Sequence, residues 1–146
     1  MATTDIYNYR LFSDTIATAG LPSEFQLHDA KHEGFSAIIN LLPDDSPYAV
    51  PGEAAIVNAL GLEYFYIPVE FENPTLLDFE KFERALASTT GKKVLIHCAA
   101  NYRVSAFMSI YAKTKLGWDN QTFETYRNAI WQPDEIWAAF IKKMMR

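Results

Sequence analysis

Cysteine is almost absent from this chain: Cys98 stands alone among 146 residues. An intramolecular disulfide, a Cys-x-x-Cys redox pair and a cysteine-rich zinc site are therefore excluded. Gly 6 and Pro 7 are too few for a linker-like or collagen-like chain. No apolar run approaches the roughly 20 residues that a membrane-spanning helix needs. No basic run occurs either, and 13 Lys and Arg against 18 Asp and Glu leave a formal net charge of −5. That balance argues against duplex nucleic acid or an anionic membrane as the main partner. Met1-Ala-Thr-Thr-Asp5 shows neither the basic nor the apolar region of a secretory signal, so a cytoplasmic location is expected. Internal repeats, low-complexity tracts and linkers are missing as well. What remains is 49% apolar and 21% charged residues, the balance of an ordinary globular chain, and a single domain over 1–146 is expected.

Strand-like and helix-like stretches alternate. Ser23-Glu-Phe-Gln26 has the form of a capping box and opens a helix that runs to Gly34, a residue suited to the position just past a helix end. Ser36–Leu42 is an unalternating apolar run, as in a parallel strand buried on both faces. Pro51 and Gly61 suit the start and end of a second helix. Glu63–Ile67 reads as a strand of aromatic and β-branched residues. Asn73-Pro74 reads as the cap and first residue of a third helix, with Leu76, Phe79, Phe82 and Leu86 at helical spacing. Lys93–Ile96 is a third apolar strand, and a helix from about Arg103 to Leu116 stops at Gly117. Helical stretches around Thr122–Ile130 and Asp134–Met144 follow, and the weakly patterned Tyr9–Ala19 is expected to add an edge strand. This alternation implies an α/β fold of three layers, a mainly parallel central sheet flanked by helices. Ligands of such sheets bind outside the carboxyl ends of the strands. The loops after Leu42, Val69 and His97 fall on that rim.

The third of these loops carries the chemistry. In Val94-Leu-Ile-His97-Cys98-Ala99-Ala100-Asn101-Tyr102-Arg103-Val104-Ser105 a strand runs into a short loop and then a helix. Cys98 takes the first loop position, and Arg103 lies near the helix start. Unpaired N–H groups and the positive end of the helix dipole favour an oxyanion there and favour the thiolate of Cys98. Arg103 adds a planar fork of donors that matches two phosphate oxygens. His97 is expected to orient the loop by a hydrogen bond rather than to carry protons.

His97-Cys98, a short loop and Arg103 resemble the signature of cysteine-dependent protein tyrosine phosphatases, especially the small dual-specificity ones. Only four residues separate Cys98 from Arg103 where that signature has five. The shorter loop is similar to that of the bacterial DUF442 family, the phosphatase domain also found in beta-lactamase hydrolase-like proteins. Gly20-Leu-Pro22 and Ile38-Ile-Asn-Leu-Leu-Pro-Asp44 resemble that family's N-terminal motifs, and the similarity spans roughly Ala19 to Leu116. The resemblance implies a phosphatase-like fold with Ala99, Ala100, Asn101, Tyr102, Val104 and Ser105 lining a phosphate-binding loop. It implies a metal-independent phosphomonoester hydrolase, without cofactor, that acts through a phosphocysteine intermediate. There are departures. Asn101 stands where the family commonly has Gly, and Asn is the next best residue for a left-handed backbone. Val104 follows Arg103 where a hydroxyl residue is common, and Ser105 comes one later, so both registers of the loop stay open. Leu42 replaces a common Arg. The family's general acid is usually an Asp on a neighbouring loop, and Val69-Glu-Phe-Glu-Asn-Pro74 has none. Glu72, two residues before the Pro, is the favoured substitute, with Glu70 and Asp44 as alternatives.

Two other functions compete. A rhodanese-like sulfurtransferase also uses a short Cys loop, although such loops usually carry Arg directly after the Cys, where this chain has Ala99. A catalytically silent phosphate-binding domain is the third reading. The substrate is expected to be a phosphorylated protein or small molecule. The uncharged Ala99 and Ala100 argue against a polyanionic one. His28 and His32 share a helix face but lack a third ligand, so a solvated face is expected rather than a metal site. Trp118, Trp131, Trp137 and Phe140 are expected to pack helices rather than stack bases.

Overall fold

The computed structural model describes residues 2–145. Five strands form one sheet in the order β1-β2-β5-β3-β4. They are β1 (Arg10–Leu11), β2 (Ile16–Ala19), β3 (Ala37–Asn40), β4 (Glu63–Tyr66) and β5 (Val94–His97). β2, β5, β3 and β4 run parallel, and only the short edge strand β1 is antiparallel. Six α-helices accompany them: α1 (Glu24–His32), α2 (Glu53–Ala59), α3 (Leu76–Ser88), α4 (Tyr102–Lys115), α5 (Asn120–Ile130) and α6 (Glu135–Met144). The expected mainly parallel α/β architecture is the one found.

The central strand shows how the layers are assigned. Side chains alternate across a strand. Val94 and Ile96 of β5 enter the cluster built on α3, α4 and α6, with Phe79, Phe82, Phe107 and Trp137. Leu95 enters the opposite cluster, with Leu27 and Ala30 of α1 and Val57 of α2. α4 is sheathed by its neighbours, and every residue from Val104 to Ile110 is buried. The same alternation continues into the loop: Cys98 joins the α4 side, and His97 turns to α2.

Ser23 and Gln26 form the expected reciprocal cap, with Gln26 N–H donating to Ser23 Oγ at 3.1 Å and Ser23 N–H to Gln26 Oε1 at 2.9 Å. Three local expectations need correction. Tyr9–Ala19 is not one edge strand. It folds into β1 and β2, and β2 lies inside the sheet beside β5. Its Ala17, Thr18 and Ala19 are too small to read as a strong strand, yet all three are buried. Pro51 does not open α2. Gly52 caps that helix in a left-handed conformation, φ 69°, which Gly adopts without a Cβ penalty. The cap of α3 is Thr75 rather than Asn73. Asp78 N–H donates to Thr75 Oγ1 and Thr75 N–H to Asp78 Oδ2, both at 3.1 Å, two bonds that Asn73 does not offer. Asn73 closes a turn onto the Glu70 carbonyl instead. Leu76 correspondingly sits half exposed at the helix start, while Phe79, Phe82 and Leu86 are buried. Among the described residues no helix is long and apolar enough to cross a membrane.

Candidate active site

The parallel strands bring four loop starts to one rim: Gly20, Leu41, Ile67 and Cys98 follow β2, β3, β4 and β5. Cys98 is fully buried beneath the loop that it opens. The loop then turns through Asn101, whose φ of 67° and ψ of 11° are left-handed, as expected of the Asn that stands in a common Gly position. Ser105 N–H to Asn101 C=O, 2.9 Å, is the first backbone bond of α4. The N–H groups of Tyr102, Arg103 and Val104 therefore have no acceptor within the helix. Among the described residues the Ala99 and Ala100 N–H groups also donate to no protein acceptor. A short arc of free donors thus follows the thiol.

Arg103 lies on the first turn of α4. Its guanidinium carbon sits 5.1 Å from the centre of the Phe71 ring, and its Nε is buried without a protein partner. Tyr102 stacks flat on Trp131, with centroids 4.5 Å apart and planes 6° apart. Ser105 is buried, and its hydroxyl donates to the Tyr102 carbonyl at 3.1 Å. The proton of Ser105 is thereby directed along its own helix. Val104 points into the core and is fully buried.

The Val69–Pro74 loop is held against this arrangement through Phe71. Trp137, fully buried in α6, donates its Nε1–H to the Phe71 carbonyl at 2.7 Å. Glu70 and Glu72 flank Phe71, and both are exposed. Glu70 acts electrostatically on the Tyr66 phenol, as do Asp44 and Asp45, which places it towards β4 and the loop after β3. Burial raises the Tyr66 phenol first, and these carboxylates add to the shift. Trp137→Phe keeps most of the ring volume but leaves the Phe71 carbonyl unpaired. We expect a loss of about 1–3 kcal/mol in a denaturant melt.

Asn8, Gly20 and Asn40, outside the loop, build its frame together with Asn101. Asn8 has a left-handed φ of 54° and donates its side-chain amide to the Ala100 carbonyl at 2.9 Å. Asn101 returns its own amide to the Asn8 carbonyl at 2.9 Å and to Thr18 Oγ1 at 3.1 Å. Gly20 has no room for a side chain: a Cβ there would lie 2.8 Å from the Tyr7 oxygen and 2.9 Å from the Ala99 oxygen. Asn40 accepts from Leu42 N–H at 2.8 Å and donates to the Tyr64 phenol at 3.0 Å, which shapes the turn leading to Asp44. Burial holds the Tyr64 phenol far above its usual range, so it stays neutral. Gly20 and Asn40 do lie within the quoted motifs. Asn8 carries no sequence signal, because its partner is 93 residues away.

His97 is fully buried. Its Nδ1 lies 3.1 Å from the Cys98 carbonyl oxygen, and its Nε2 lies 2.6 Å from Glu53 Oε2. Glu53, on the first turn of α2, is another residue that the sequence did not single out. His28 and His32 are exposed, and no group of three metal-ligating side chains occurs among the described residues. Trp137 and Phe140 pack in the core, and Trp118 stacks on Phe12.

The model of the beta-lactamase hydrolase-like protein phosphatase-like domain matches residues 8–114. The chain belongs to that family. Among its curated relatives, a beta-lactamase hydrolase-like protein of Xylella fastidiosa (strain Temecula1 / ATCC 700964) is 32% identical over 107 residues, 71% of this chain and 24% of the relative. The chain thus spans about a quarter of the length of that relative. A DUF442 protein from Shewanella putrefaciens CN-32, solved by crystallography, is 34% identical with a TM-score of 0.86, covering 97% of this chain and 93% of that one. The TpbA protein of P. aeruginosa, solved in complex with pTyr, is 15% identical with a TM-score of 0.74, covering 99% and 91%. At that identity the likeness establishes a shared fold. The family membership makes this a phosphatase-type chain, as its sequence motifs lead one to expect.

Proposed function

We propose that the chain is a metal-independent, cysteine-dependent phosphomonoester hydrolase that works through a phosphocysteine. The observation that carries the reading is one short loop at the end of the central strand that begins at Cys98, turns through backbone N–H groups without protein acceptors and reaches Arg103 on the first turn of α4, whose buried Nε also lacks a protein partner. Cys98 Sγ, as thiolate, attacks phosphorus, and the S–P bond forms as the bond to the leaving oxygen breaks. The N–H groups of Ala99, Ala100 and Tyr102–Val104 and the Arg103 guanidinium hold the equatorial oxygens while charge shifts onto them. Glu72 gives its proton to the leaving oxygen. It then takes one from the water that displaces sulfur, releasing inorganic phosphate and restoring the thiolate. Glu72, two residues before Pro74, is taken for this role ahead of Glu70 and Asp44. Ser105 serves the loop's backbone rather than the sulfur, given its bond to Tyr102.

Phe71 lies against Arg103 and packs on Trp131, which stacks on Tyr102, and this aromatic surface suits an aryl phosphate. The pTyr bound by TpbA belongs to that class, and a phosphorylated protein or small molecule fits the same description. The family match favours phosphoryl transfer over the sulfur transfer of rhodanese-like loops.

Hydrolysis of p-nitrophenyl phosphate from pH 5 to 8 with chelator present tests the reading, together with acid quench and mass spectrometry of the Cys98 peptide. Turnover and a phosphate adduct on Cys98 are expected. Their absence in reduced, folded protein would leave a silent phosphate-binding domain. Glu72→Gln should slow an alkyl phosphate by about 10²-fold, the lower range of general acid catalysis. Nitrophenyl phosphate should suffer less, since nitrophenolate leaves without a proton. Equal loss on both substrates would remove Glu72 from the role.

A further inference from the structure

The buried pair of His97 and Glu53 has no part in the chemistry above. Both side chains are withdrawn from water, at 0% and 2% exposure, and they meet at 2.6 Å. A carbonyl oxygen only accepts, so the 3.1 Å contact with the Cys98 carbonyl requires a proton on His97 Nδ1. The 2.6 Å contact requires a second proton between Nε2 and the carboxylate. Both bonds coexist when the pair holds two protons, a neutral total that suits a dry site. Without a partner on Nε2, the ring loses its anchor on the α2 side and the Cys98 carbonyl is left as its one described hydrogen-bond partner.

The Cys98 carbonyl is the first peptide oxygen of the anion loop. In a trans peptide the following N–H points opposite to the C=O. Holding that oxygen on the α2 side of the sheet therefore turns the Ala99 N–H to the other side, the side of Cys98 and α4. We infer that Glu53 is a positioning residue: through His97 it fixes the first peptide plane of the loop and so aims the Ala99 N–H at the bound oxyanion. The inference rests on the phosphatase reading for its consequence in turnover, but the loop's orientation is measurable without turnover.

Glu53→Gln and Glu53→Leu in the full chain test it. The amide of Gln donates to Nε2 and leaves the proton on Nδ1, whereas Leu fills similar volume and offers nothing. Glu53→Leu should lower kcat for p-nitrophenyl phosphate about tenfold to a hundredfold, the usual range for a supporting partner, and weaken inhibition by vanadate to match. Glu53→Gln should stay within about threefold of the unaltered protein. Alkylation of Cys98 supplies the readout that needs no catalysis. The rate ratio of iodoacetate to iodoacetamide reports the loop's preference for an anion, and it should collapse in the Leu variant and survive in the Gln variant. Nitrogen-15 spectra of the unaltered protein, which need no variant to fold, should show His97 carrying Nδ1–H.

Retention of kcat and of the alkylation ratio by Glu53→Leu would overturn the inference, as would a Gln variant that falls as far as Leu. A His97 ring protonated on Nε2 alone would do so as well. If the unaltered protein fails to hydrolyse phosphate yet prefers iodoacetate in a way that Glu53→Leu abolishes, the proposed activity fails and the positioning role stands.

Discussion

Cys98→Ser should abolish turnover of p-nitrophenyl phosphate, by about 10⁴-fold or more, with the fold intact. A serine hydroxyl is the near-isosteric replacement, but it is not ionised near neutral pH. The nucleophile is thus removed while the loop N–H groups and Arg103 remain. Inorganic vanadate or phosphate should still bind to the variant, with an affinity change of less than about tenfold. Paired measurements of turnover and anion binding separate the two contributions. A variant that keeps turnover would place the reaction away from Cys98, and one that loses both would show that the thiol supports the loop rather than attacking phosphorus. The burial of Cys98 makes folding a necessary control: its side chain packs in the cluster with Val104 and Phe107, and Ser brings a hydroxyl into that space.

Gly20→Ala should cost about 3 kcal/mol, the upper part of the range for overpacking, and should lower activity together with stability. A Cβ at this position would meet backbone oxygens on both sides, at 2.8 Å from Tyr7 and 2.9 Å from Ala99. Neither is the far end of a flexible side chain. Gly20 N–H also donates to Tyr7 at 2.7 Å, and Leu21 N–H donates to Ala99 at 3.0 Å, so one obstructing oxygen ties the end of β2 to the N-terminal segment and the other ties it to the loop. The methyl group therefore pushes against the Cys98–Arg103 backbone itself. A thermal melt and a kcat measurement on the same sample check this. Gly34→Ala is the matched control, because a Cβ there meets no atom within 4 Å, although φ 91° imposes its own strain. A melt lowered equally in both variants, with kcat unchanged in Gly20→Ala, would remove the close approach as a determinant of the site.

The cap of α1 and the left-handed turn of the loop were legible because each is written in a few consecutive residues. Ser23–Gln26 declares its capping box within one turn, and Asn101 declares a left-handed position by its residue type. The misreadings came where two local signals competed. Asn73-Pro74 outshone Thr75, although Thr75 and Asp78 form the box. In β2 the small residues hid a central strand, because burial beside β5, and not side-chain propensity, makes Ile16–Ala19 extended.

The sequence by itself determined the α/β alternation, the strand that ends in His97-Cys98 and the spacing from thiol to Arg103. Short apolar runs and helical spacing suffice for these, and the spacing is covalent. Tertiary structure alone decided the rest of the site. It brought Asn8 to Asn101 across 93 residues, Glu53 to His97 across 44 and Trp137 to Phe71 across 66. Such pairs depend on which elements share a face of the sheet, a property of the sheet's strand order and of the sides that α2 and α6 take. No local propensity records that order. It follows from burying both faces of one sheet at once, and the loop around Cys98 takes its shape from those long-range contacts.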